Sequence, residues 1–202
     1  EKFITDNHPM TSQQIAYAIF GLQGQTNLDP STNALMNTLI LKIASCNDEF
    51  TPLSICMILY GINLFEPSEI LSSFLSVLTL KIHEMKSRFL DPYWLSAGIY
   101  GMQGIKSNSS EANAFILAFI EKIGYPSNEI INQSIGSNSL LDSTYMSTEQ
   151  ISNAFFGLQE IISEENTSAI SLISLLMPHF ERIVEQGDVF LFSQIANIAY
   201  SL

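Results

Sequence analysis

Apolar residues fall at helical spacing along this chain, and the same stripe returns several times. Ile15, Ala18, Ile19 and Leu22 occupy positions i, i+3, i+4 and i+7 of one segment. Their counterparts are Ile55, Ile58, Leu59 and Ile62, then Leu95, Gly98, Ile99 and Met102, then Ile151, Ala154, Phe155 and Leu158. Such spacing predicts amphipathic helices. An aromatic–glycine pair accompanies each stripe: Phe20-Gly21, Tyr60-Gly61, Tyr100-Gly101 and Phe156-Gly157, with Tyr200-Ser201 in a fifth copy. Steps between these pairs are 40, 40, 56 and 44 residues, which is the signature of a repeat array. A glycine inside a helix costs about 1 kcal/mol relative to alanine. Its return in four copies predicts close approach of a neighbouring helix rather than a phosphate loop, since the glycines are single.

Start signals sit at the same place in four copies. Thr11 with Gln14 and Ser147 with Gln150 form capping boxes, while Thr51-Pro52 and Asp91-Pro92 place a capping oxygen before a proline at the first helical position. Each of these first helices is followed by a polar break and a second helix. Asp29-Pro30, Glu66-Pro67 and Asn108–Ser110 are expected to open the first three, and the fourth is expected to run from about Glu164. Their inward residues read as Leu35, Leu39, Ile40 and Ile43, then Ile70, Leu71, Phe74, Leu78 and Ile82, then Phe115, Ile116, Phe119, Ile120 and Ile123. The fourth reads as Ile170, Ile173, Leu176, Phe180 and Val184. Gly124 and Gly187 suit helix ends, and Pro178 is expected to kink or split the fourth helix.

The fold class expected is all-α: an α-solenoid of two-helix repeats of about 40 residues, four full units and the start of a fifth, forming one domain over residues 1–202. Repeats start near 11, 51, 91, 147 and 191. The long step reflects an insertion at 125–145, rich in Ser, Asn and Gly. A first residue Glu1 and a motif copy still running at Leu202 make the chain read as a piece of a longer protein.

Composition narrows the chemistry. The chain is 47% apolar, which suits a continuous stacked core, and its net charge of -12 argues against an overall footprint for nucleic acid or anionic membrane. No apolar run approaches a membrane span. Cys46 and Cys56 read as small buried residues of a reducing, intracellular compartment. His8, His83 and His179 lie far apart and outside metal-ligand spacing, no serine sits in G-x-S-x-G, and neither cysteine has a histidine nearby. The acidic group Glu160, Glu164 and Glu165 reads as a solvated helix start. The expectation is a non-enzymatic chain without cofactor, metal or small-molecule substrate.

Information for a partner should then lie where the copies differ. One variable column holds Gln13, Leu53, Tyr93, Glu149 and Ser193; one turn later another holds Tyr17, Met57, Ala97, Asn153 and Asn197. Trp94, the sole tryptophan, occupies a column otherwise held by Gln14, Ser54, Gln150 and Gln194, so it is expected to be partly exposed. These residues form the candidate contact surface, with a protein or peptide as the expected partner and RNA as the alternative. The pattern of Gln14-Ile15-Ala16 with Phe20-Gly21-Leu22 resembles the octotricopeptide-like family of α-solenoid repeats. It returns as Gln150-Ile151 with Phe156-Gly157-Leu158, and as Gln194-Ile195-Ala196-Asn197 with Tyr200. That resemblance implies RNA binding through variable residues on the first helix of each repeat. The chain departs from the family in carrying Tyr-Gly or Phe-Gly where Trp-Ala is usual.

Overall fold

Thr11, Thr51, Asp91 and Ser147 each cap a helix, as their local chemistry predicts. The Thr11 and Ser147 hydroxyls accept the Gln14 and Gln150 N–H, and both glutamine side chains reach back to complete the boxes. Thr51 accepts the Ser54 N–H, and Asp91 accepts the Tyr93 N–H at 2.8 Å. These contacts belong to a computed structural model, which describes residues 9–105, 109–123, 145–159, 161 and 167–201, with the side chains of 192, 197 and 199–201 excepted. The insertion at 125–145 lies outside the described residues except for Tyr145, as do His8, Gly124, Glu160, Glu164 and Glu165.

The described residues are all-helical. In chain order they form α1 (Ser12–Phe20), α2 (Pro30–Ser45), α3 (Pro52–Gly61), α4 (Glu69–Glu84) and α5 (Pro92–Tyr100), which continues into a 3-10 turn, Gly101–Gly104. Then come α6 (Ser110–Lys122), α7 (Thr148–Leu158), α8 (Thr167–Gln186) and α9 (Phe192–Ser201). No strand forms among them; one isolated parallel bridge joins Phe89 to Ile123. Helix α1 packs on α3, α3 on α5, α5 on α7 and α7 on α9, while α2 packs on α4, α4 on α6 and α6 on α8. The five expected first helices therefore lie in one row and the second helices in another.

Within the first row, glycine sets the spacing. A Cβ on Gly101 would lie 2.7 Å from the Leu59 carbonyl carbon and 2.7 Å from the Tyr60 nitrogen. A Cβ on Gly61 would run into the Ile19 carbonyl, and one on Gly157 into the Ile99 carbonyl. Each glycine thus rests against the backbone of the preceding first helix. Gly21, the C-cap of α1, has no such neighbour, and an added Cβ there meets nothing closer than 3.4 Å. The aromatic before each glycine stacks on its counterpart: Phe20, Tyr60, Tyr100 and Phe156 form a half-buried ladder with ring centroids 5.7, 5.8 and 6.0 Å apart.

A second device joins the same row. The Cys56 thiol donates to the Trp94 carbonyl at 2.9 Å, the Ser96 hydroxyl to the Gln150 carbonyl at 2.7 Å, and the Ser152 hydroxyl to the Gln194 carbonyl at 3.4 Å. One small polar side chain on each of α3, α5 and α7 therefore binds the first turn of the next first helix; α1 carries Ala16 in that column. Cys46 and Cys56 are both free and buried, and burial pushes the Cys56 thiol well above the usual range.

The second row is held by side chains. Phe74, Phe115 and Phe119 are fully buried, each contributing roughly 1.5–3 kcal/mol. A basic column at 42, 81, 122 and 182 runs along its helix ends. Lys81 Nζ donates to the carbonyl of Cys46, the C-cap of α2, and Lys122 Nζ to the carbonyl of Met85, the C-cap of α4, at 2.9 and 2.7 Å. Those bonds satisfy carbonyls that have no partner inside their own helix. Between units, the buried Asn27 amide spans the next turn, binding the Glu66 carbonyl, the Glu66 N–H and the Ser68 hydroxyl.

Three expectations need correction. Glu66-Pro67 does not open α4: Asn27 holds that turn, and Ser68 is the cap, accepting the Leu71 N–H. Pro178 does not split α8, which runs unbroken from Thr167 to Gln186; the proline is exposed, and buried Leu176 and His179 on either side hold one face on the core. The buried stripe of α8 is Ala169, Leu172, Leu176, His179 and Ile183, and the expected Ile170 and Val184 are exposed. A histidine and an alanine inside the stripe disguise it, so the apolar pattern points about one residue off. Gly187 ends α8 as expected, with φ of 73° and the Asp188 N–H returning to the Ile183 carbonyl.

Candidate functional site

Because backbone contact and the small polar column hold the first row together, the two variable columns are left on its surface. Gln13, Leu53, Tyr93, Glu149 and Ser193 are all exposed. One turn on, Tyr17 is exposed, while Met57, Ala97 and Asn153 are half-buried because they sit lower between adjacent helices. The side chain of Asn197 lies outside the described residues.

Eight of the candidate residues come together in two grooves. Gln13 and Tyr17 from α1 face Leu53 and Met57 from α3 across a groove of about 280 Å³, in which Gln13 Nε2 donates to the Tyr17 hydroxyl at 3.2 Å. Tyr93 and Ala97 from α5 face Glu149 and Asn153 from α7 across a cleft of about 430 Å³. Ser193, on α9, lines neither of these grooves. Nor does Trp94: it is half-buried against the core, edge-on to Tyr93 with centroids 4.8 Å apart, and its carbonyl receives the Cys56 thiol. Its partial exposure is as expected, and its placement supports the Tyr93 ring.

The α5–α7 cleft contains residues that the variable columns did not mark. Tyr60 and Tyr100 of the aromatic ladder line it, together with Ser96, Ser147 and Gln150. The sequence signal for the tyrosines was the aromatic before each glycine, which reads as packing because it recurs. A repeated residue at the edge of a buried stripe can serve both purposes. At the first turns of α5 and α7 the cleft meets a larger one of about 1070 Å³, with which it shares Tyr93, Ser147 and Gln150. There Asp91, Asp188 and Arg182 contribute charge, and the Arg182 guanidinium lies 4.1 Å above the centre of the Tyr145 ring.

His179 closes the base of this region. Its Nδ1 accepts the Met146 N–H at 3.2 Å, which fixes the chain just before the α7 cap, and Tyr145 stands edge-on to the imidazole at 5.5 Å. Burial lowers the imidazole pKa to about 4, so the ring is neutral at pH 7 and able to accept that bond.

Electrostatically the first row is one-sided. None of α1, α3, α5, α7 or α9 contains a Lys or Arg, and Glu149 puts a carboxylate at the cleft. The chemistry on offer is therefore hydrogen bonding by phenols and amides, aromatic faces and negative charge. Among the described residues no group of three or more His, Cys, Asp and Glu gathers as metal ligands, and no helix is long and apolar enough to cross a membrane. No family model, no curated protein and no solved structure matches the chain.

Proposed function

We propose that this chain is a non-enzymatic α-solenoid of two-helix repeats whose row of first helices binds a protein or peptide partner, as a scaffold or recognition arm. One observation carries the reading: residues that differ between copies open into shared grooves between consecutive first helices, and those helices hold no Lys or Arg. Stacking through glycine and backbone leaves these columns open to change without loss of the array, which is how repeat proteins acquire extended binding surfaces. Exposed Tyr17, Leu53 and Tyr93 supply the aromatic and apolar anchors that protein interfaces favour.

RNA is the second reading. The resemblance to octotricopeptide-like repeats and the aromatic ladder favour it, since bases stack on such rings. Phosphate contacts supply much of the affinity of RNA complexes, and the first row offers no cation to make them. The test is capture on the immobilised chain with and without ribonuclease, repeated with Leu53→Asp and Tyr93→Asp. The expected result is nuclease-insensitive capture of one protein at stoichiometric amounts, lost in the variants. Tight binding of single-stranded RNA at physiological salt, weakening steeply as salt rises, overturns it.

A further inference from the structure

The α1–α3 and α5–α7 grooves share one backbone plan, yet their linings differ in kind. The first presents Gln13, Tyr17, Leu53 and Met57, which are neutral. The second presents three phenols, two amides and a carboxylate. Ala97 makes the difference in shape. It is the smallest residue in its column, and it stands one turn from both Tyr93 and Tyr100, so only the small Ser96 and Ala97 of α5 lie between those rings. Across the space stand Glu149 and Asn153 of α7.

We propose that the α5–α7 cleft takes a basic side chain of the partner, an Arg or Lys seated against Tyr93 and paired with Glu149. The proposal rests on the partner-binding reading and narrows the partner to one that offers a basic segment. A cation over the exposed Tyr93 ring is attracted by its quadrupole, and a guanidinium also stacks on it, whereas Tyr60 and Tyr100 already stack within the ladder. Glu149 supplies the countercharge, and the Asn153 side chain offers a further hydrogen bond to a guanidinium edge. An apolar occupant would bury these groups without satisfying them. An anionic occupant would meet Glu149 here and Asp91 and Asp188 in the adjoining cleft, where Arg182 already covers the Tyr145 ring. Negative charge thus continues along the surface from which a basic segment would approach, and the chain carries -12 overall.

The test is fluorescence anisotropy with a labelled nine-residue peptide alternating Gly and Arg. Twins carry citrulline or Glu in place of Arg, and a single-stranded RNA 12-mer is run alongside. Binding of the Arg peptide is expected to fall at least tenfold with Glu149→Gln and with Tyr93→Ala, and less than twofold with Glu69→Gln. The last variant removes the same charge from an exposed site on α4. The citrulline and Glu peptides are expected to bind at least tenfold more weakly than the Arg peptide. Equal losses from Glu149→Gln and Glu69→Gln overturn the proposal, because the attraction is then only the net charge. Binding of the citrulline twin as tight as the Arg peptide also overturns it. Helix content and melting temperature are checked for each variant; if Tyr93→Ala unfolds, Glu149→Gln and Glu149→Arg decide alone. Nuclease-insensitive capture that survives Glu149→Arg refutes the basic-segment proposal and leaves the partner reading standing, whereas salt-sensitive RNA binding refutes both.

Discussion

In the row formed by α1, α3, α5, α7 and α9, backbone touches backbone; in the row formed by α2, α4, α6 and α8, lysine side chains reach from one helix to the end of the one before. The first row achieves contact by removing side chains at Gly61, Gly101 and Gly157, then adds a thiol or hydroxyl donor to the next helix. The second buries phenylalanine in the core and ties its helix ends with lysine. These solutions leave different surfaces. Side chains of the first row that do not pack are free to vary and line grooves. In the second row Lys81 and Lys122 are spent on C-terminal carbonyls. Half of the eight Lys and Arg residues fall in that one column, so the asymmetry of charge between rows follows from how each row is built.

The largest effect should come from restoring a Cβ where backbones meet. Gly101→Ala is expected to cost about 3 kcal/mol in urea unfolding, since neither Leu59 nor Tyr60 backbone can move aside cheaply. Gly21→Ala, in the same motif column, should fall within about 0.5 kcal/mol of wild type or gain up to ~1 kcal/mol from helix propensity. Equal losses at the two sites would remove backbone contact as the reason for the glycine column.

Next comes the histidine that links the rows. The folded pKa of His179, about 4, lies below the unfolded value near 6.5, so the unfolded chain takes up the proton first. Stability is therefore complete above pH ~6.5 and declines as pH falls toward 4, by an amount on the order of 2–3 kcal/mol. Asp29, Glu49 and Glu111 are held below ordinary carboxylate values by hydrogen bonds, led by backbone N–H groups, so their contributions are lost only under more acidic conditions. Thermal melts of His179→Gln across this range should give a flatter profile than wild type; an unchanged slope would show that another group titrates there.

Smaller effects separate the two kinds of tie. Lys122→Met should cost about 1 kcal/mol by leaving the Met85 carbonyl without its lysine, and should not alter peptide binding at the first row. Cys56→Ser should fall within about 0.5 kcal/mol of wild type, because Ser96 and Ser152 already make the equivalent bond, whereas Cys56→Ala should cost about 1 kcal/mol. A Cys56→Ser loss as large as that of Cys56→Ala would mean that sulfur packing against the Gly98 site, not the donated hydrogen, matters there.

What could be read from sequence was what neighbours within a few residues decide. Caps at Thr11, Thr51, Asp91 and Ser147, the starts at Pro30, Pro52 and Pro92, the buried stripes of the first helices and the Gly187 stop all follow from contacts inside one turn. The repeat added the inference that glycine marks close approach, and it separated the variable columns from the constant ones. The ties between units were not legible: Asn27 to Glu66, Lys81 to Cys46 and Ser96 to Gln150 span 39, 35 and 54 residues. A lysine, an asparagine or a serine in a polar stretch looks solvated until the next unit supplies its partner. Residues 167–186 were misread in register for the same reason, since His179 belongs to a buried stripe only because the Met146 N–H comes to meet it. The sequence alone determined which segments are helices, where the first helices start and which positions are kept constant. Tertiary structure alone decided which polar residues are ties, that the constant tyrosines share a cleft with the variable columns, and that Ala97 opens it. Capping energy is local, whereas a groove exists only once two helices have met.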